Sequence, residues 1–162
     1  MNLSAKLTIG ILLIIGVPSL LVLGYYSLNQ LNVMDLSDDY IGIQQIILDG
    51  SSYENAPRDN VTFNQISLNG DRLIIDLSYG GGCRNHNFSL IGSNVFKESN
   101  PVRTDIVLSH DANDDPCEAW LTEKLYFDLS PLKEAYQDAY LLSSGSIIIL
   151  LEGAESEILY EF

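Results

Sequence analysis

"RLIIDLSY", residues 72–79, alternates apolar and polar side chains, so Leu73, Ile75, Leu77 and Tyr79 share one face of an extended chain. A period of two suits a strand with one buried face and does not suit an amphipathic helix. Similar segments, rich in β-branched and aromatic residues, recur between turn signals. They cover 40–48, 61–68, 72–79, 86–92, 102–109, 118–128, 146–152 and 157–162. "LNGDR", 68–72, sets Asn-Gly between two of them, a strong hairpin signal. "LEGAESEI", 151–158, reads as a second hairpin, and "SIIILLEG" is apolar on both faces, as a central strand is. Eight short strands predict an all-β fold, an antiparallel β-sandwich in preference to a barrel. One helix interrupts them near 131–138, with Ser130 as its cap and Pro131 in its first turn.

The first residues are of another kind. "LTIGILLIIGVPSLLVLGYY", 7–26, carries no charge, and only Lys6 precedes it. About 20 apolar residues span a bilayer as a helix, and a basic residue ahead of them places the rest of the chain outside the cytoplasm. Residues 1–26 are therefore a signal anchor or a cleaved signal peptide. The anchor is preferred, because the run exceeds the roughly 7–15 apolar residues of a signal peptide. A polar linker, 27–39, leads into a single domain over 40–162. Beyond Lys6 the chain has seven basic and 22 acidic residues, a net charge of −15. Such a surface has no basic patch for phosphates, which excludes nucleic acid as a partner. The expected partners are the membrane, through the N-terminal helix, and an envelope protein or a glycan.

Chemistry-bearing residues gather in two places, "YGGGCRNHNF" at 79–88 and "SHDANDDPC" at 109–117. Strand parity puts His86 with Phe88 and Leu90, His110 with Ile106 and Leu108, and Cys117 with Leu121 and Leu125. Regular strands would bring all three to the apolar face at strand ends. Three readings are open. A Cys83–Cys117 disulfide suits an even cysteine count outside the cytoplasm and is preferred. Zinc bound by Cys83, His86, His110 and Cys117 has the right ligand types, but His-x6-Cys is wide for a finger. A thiol enzyme with a histidine base has least support, and no catalytic residue is assigned. Nothing in the chain calls for a cofactor. Asp111, Asn113 and Asp115 match the first three ligand positions of a calcium loop. Pro116 and Thr122 then stand where that loop needs Gly and Glu, so an Asx-rich turn is preferred. Trp120, the chain's one tryptophan, packs beneath the helix or is exposed as a binding anchor.

"YGGGCRNHNF", "LSHDANDDPCEAWLTEKLYFDLSPL" and the following "GSIIILLEG" together resemble the C-terminal β-sandwich domain of NigD-like proteins, over about residues 72–153. These are cell-envelope proteins, often lipoproteins, with no established activity. The resemblance implies a sandwich with Cys83 and Cys117 close together. The chain departs from the family in two ways. Tyr25 stands where a lipidation cysteine would follow the apolar run, and few residues precede 72 for a complete further domain. The combined expectation is a non-enzymatic envelope module, periplasmic or extracellular, anchored by one helix or secreted. The alternative is a Zn- or Ca-binding module around His86, His110, Asp111, Asn113 and Asp115.

Overall fold

A computed structural model describes residues 42–162. The apolar run, the linker and the first two residues of the 40–48 segment lie outside the described residues. Among the described residues, no helix is long and apolar enough to cross a membrane.

Among the described residues, nine strands form two sheets. The first holds β1 (Ile43–Gln45), β7 (Ala119–Asp128), β4 (Arg72–Gly81) and β3 (Thr62–Asn69), in that spatial order. The second holds β2 (Ile47–Leu48), β5 (Asn87–Gly92), β6 (Val102–Asp111), β8 (Ser146–Leu151) and β9 (Ile158–Glu161). The inner faces meet in one core. The alternation of β4 is realised directly: Leu73, Ile75 and Leu77 are fully buried and Tyr79 nearly so. They pack with Phe127, Leu90, Ile106, Ile147, Ile149 and Tyr160. The Asn69–Arg72 register closes the β3–β4 hairpin, and β8 pairs antiparallel with β9 as the second hairpin requires.

Two expectations about the strands need correction. The segment 40–48 is not one strand. Ile46 is buried and its N–H donates to the Asp128 carbonyl at 3.0 Å, so the chain crosses from one sheet to the other there. β1 joins β7 and β2 joins β5, both parallel. The sheets are also mixed rather than purely antiparallel. After β7 the chain runs through helix α2 (Ser130–Tyr140) before laying β8 parallel to β6. A crossover of that length is what a parallel neighbour needs.

Helix α2 begins close to the expected position, with Pro131 in its first turn. Ser130 does not cap it. Residue 129 is the N-cap, and Ser130 N–H and Oγ both donate to Asp128 Oδ1, at 2.9 and 2.6 Å. The helix buries Leu132 and Tyr136 in the core. A short helix, α1 (Gly50–Glu54), has no apolar repeat to announce it. Asp49 caps it by accepting the Ser52 N–H at 2.7 Å. Its Tyr53, together with Ala56 just beyond it, covers Ile91 and Val107 on the outer side of the second sheet.

Candidate polar centre at the disulfide loop

Sheet register builds the site. Gly81 lies opposite Ala119, and Asn87 lies opposite Asp111. The chain leaving β4 and entering β5 therefore meets the 112–118 loop that joins β6 to β7. There Cys83 and Cys117 form a disulfide, with Cα atoms 5.7 Å apart. Cys83 is exposed and Cys117 half-buried.

Asp115 is the hub, with a side chain that solvent does not reach. Its Oδ2 accepts the N–H groups of Gly82, Cys83 and Arg84, each at 2.9 Å, and its Oδ1 accepts that of Cys117 at 2.9 Å. One carboxylate thus fastens both sides of the disulfide. These donors, Cys117 N–H foremost, hold its carboxyl well below the usual range. Such turns of successive N–H groups are what a glycine-rich stretch makes available. Gly82 sits at φ +117°, a conformation that side chains rarely adopt.

The histidines lie beneath this loop. His86 Nε2 is 3.2 Å from Asp115 Oδ2, and His86 Nδ1 is 2.8 Å from His110 Nε2. His110 Nδ1 is 3.1 Å from the Asp59 carbonyl. Both imidazole side chains are buried, His86 having 2% of its side chain exposed. Phe88 stacks on His110 with ring centroids 4.5 Å apart, and Tyr79 leans on His86 at 4.7 Å. The Tyr79 hydroxyl donates a hydrogen bond to Glu123 at 3.0 Å, and burial raises its pKa, with that hydrogen bond adding to the shift.

The parity argument brings His86 and His110 together, and the disulfide joins them. Cys117 itself lies in the loop before β7 rather than in the strand. The acidic residues are used locally. Asp111 Oδ1 accepts the Asn113 N–H at 2.8 Å, an Asx turn, and Asn113 Nδ2 donates to the Asn85 carbonyl at 2.7 Å. Donor atoms of Cys83, Asp115 and Cys117 lie within 4.8 Å of one another. The sulfurs are bonded to each other, however, and the carboxylate is filled with N–H donors, so the group offers no thiolate. Trp120 is 67% exposed on the outer face of the first sheet, opposite Gly80, not beneath α2.

Asp59 was not legible as part of this centre. Residues 57–59 run beside the end of β6, exchanging backbone hydrogen bonds with His110 through the Pro57 carbonyl and the Asp59 N–H. "APRDN" has no strand pattern to signal that placement. A second polar group was also missed. Asp71, in the β3–β4 turn, accepts from Lys133 and from the Tyr160 hydroxyl. Both hold its carboxyl below the usual range, Lys133 more strongly.

Two outcomes can be measured. A Cβ on Gly81 would stand 2.5 Å from His86 Nε2. Gly81→Ala therefore displaces the imidazole and is expected to cost about 1–3 kcal/mol in urea unfolding. Burial lowers the His110 pKa from its ordinary 6.5, while the Asp59 carbonyl opposes that shift. Above pH 6.5 the ring is neutral in both folded and unfolded chains. Below it, the unfolded chain binds a proton that the folded one refuses. Stability is expected to fall as pH drops through 6.5 and to level off below the folded-state value, a limb that thermal melts of His110→Gln should lack.

No family model matches this chain, and no curated protein matches it. Solved structures do. A NigD-like immunity protein from Bacteroides caccae superposes with a TM-score of 0.50 at 16% identity, over 75% of this chain and 64% of its own. A toxin-related protein from Parabacteroides distasonis gives 0.47 at 18% identity, over 74% and 60%. A protein of unknown function from Bacteroides vulgatus gives 0.48 at 13%, over 75% and 56%. This chain spans less than two thirds of each of them. The NigD-like likeness is one of fold, and it agrees with the resemblance carried by the cysteine and histidine segments.

Proposed function

We propose that this chain is a non-enzymatic cell-envelope module, held at a membrane by its N-terminal apolar segment and displaying a β-sandwich outside the cytoplasm. What carries the reading is the commitment of its chemistry-bearing side chains to the chain itself. The two sulfurs are joined, the two imidazoles contact each other, and the Asp115 carboxylate is filled by backbone N–H groups. The centre knits loops together instead of lining an open cleft. A disulfide also persists where the medium is oxidising. The surface left for an envelope protein or a glycan is the outer face of the first sheet. Trp120 stands out on it, and Gln65, Ile74, Asp76, Lys124 and Tyr126 line a shallow groove.

Fractionation with alkylation under denaturing, non-reducing conditions tests the reading. The protein should travel with membranes, be open to protease from outside, and take up no alkylating agent. Cytoplasmic protein with two alkylated thiols would overturn it. A photoreactive side chain at position 120 should capture an envelope component. Capture from exposed position 95 but not from 120 would rule out the proposed face.

A further inference from the structure

The chain has only two histidines, and their contacts fix how many protons they hold. His110 Nδ1 faces the Asp59 carbonyl oxygen at 3.1 Å. A carbonyl only accepts, so that nitrogen carries hydrogen. His110 Nε2 and His86 Nδ1 are 2.8 Å apart. Two lone pairs or two N–H groups would repel at that distance, so one proton lies between them. His86 Nε2 faces Asp115 Oδ2 at 3.2 Å. An ionised carboxylate also only accepts, so this nitrogen carries hydrogen as well. Three contacts need three protons, and two neutral imidazoles supply two.

We propose that His86 and His110 hold three protons and one positive charge between them, an imidazolium–imidazole pair that closes the disulfide loop over one window of pH. The proposal goes beyond the binding-module reading and does not depend on it. The charge sits on His86, between the carboxylate and the second ring. His110 stays neutral, because the carboxylate lies against His86 while His110 Nδ1 faces only a carbonyl. Asp115 does not take the extra proton, because its oxygens already accept four backbone N–H groups that a carboxyl hydrogen would oppose.

The other charged or titratable groups around the pair are few. The Asp59 and Asp111 charges act on His110 through space, and the Asp59 carboxylate accepts the Ala112 N–H. From β4 comes Tyr79, tied to Glu123. In the loop above, Arg84 donates to the Asn113 carbonyl. Only Asp115 meets His86 Nε2 as an acceptor among these contacts. Loss of one proton sets a lone pair of His86 against that carboxylate. Gain of one sets N–H against N–H between the rings. Either change removes one of the bonds that hold the two loops together.

The test is nitrogen NMR on full-length protein in detergent micelles, labelled only in histidine. At pH 7, three of the four imidazole nitrogens should show protonated shifts, and His110 Nε2 should show that of a hydrogen-bonded lone pair. Protection of the Gly82, Cys83, Arg84 and Cys117 amides, as exchange relative to the intrinsic rate at the same pH, should be greatest in that state and weaker on both sides of it. Two or four protonated nitrogens at pH 7 would overturn the charge assignment. Three, with protection of those amides no weaker when the count changes, would overturn the loop-closing role.

Discussion

Replacing both cysteines, Cys83→Ala with Cys117→Ala, is expected to lower the unfolding free energy by about 3–4 kcal/mol. The bond spans a sequence separation of 34 residues, and that magnitude is the closure entropy returned to the unfolded chain. The folded state should change little. Asp115 accepts N–H groups from both cysteines, so hydrogen bonds hold the two segments in place without the sulfurs. Domains of this kind have net stabilities of roughly 5–15 kcal/mol, so the loss removes a large share. Urea unfolding followed by circular dichroism would measure it, and amide spectra of the folded variant should keep the wild-type pattern away from residues 81–86 and 113–118. A double variant within about 1 kcal/mol of wild type would mean that the unfolded chain gains little freedom when the loop opens.

The strands were legible wherever one face carries the signal. β4 could be placed within two residues because Leu73, Ile75, Leu77 and Tyr79 all meet the core. β8 could be recognised as interior because Ile148 and Leu150, on its other face, are also partly covered. The features that stayed hidden depend on partners remote in sequence. "YIGIQQIIL", 40–48, reads as one strand, since nothing local says that the chain changes sheets at Ile46. Parallel pairing of β6 with β8 depends on how α2 packs, which no alternation encodes. The centre shows the same division. Parity brought the two histidines to one place, and the cysteine count paired the sulfurs. Asp115 stood in the sequence as the third ligand of a broken calcium loop. Three of its four backbone partners, Gly82, Cys83 and Arg84, lie more than thirty residues before it. The only advance hint was the run of glycines, which frees N–H groups to converge on an acceptor.

Asp115→Ala is expected to be the most damaging single change in the centre, lowering the melting temperature by roughly 10 °C or more at pH 7. It leaves four backbone N–H groups without their acceptor, at Gly82, Cys83, Arg84 and Cys117, together with His86 Nε2. Asp115→Asn should fall between the two. Its one acceptor oxygen serves either the Gly82–Arg84 side or Cys117, and its amide then turns N–H groups toward other donors. The pH dependence separates this role from that of His110. The folded carboxyl titrates well below the unfolded value of 3.8, so its contribution is present above that value and is lost only as pH falls through the lower, folded one. Between pH 7 and 5 the deficit of Asp115→Ala relative to wild type should therefore stay large, while wild type loses stability over that range through His110. A deficit that vanished by pH 5 would show that Asp115 is protonated there in the folded chain, and that the backbone N–H groups do not hold its charge.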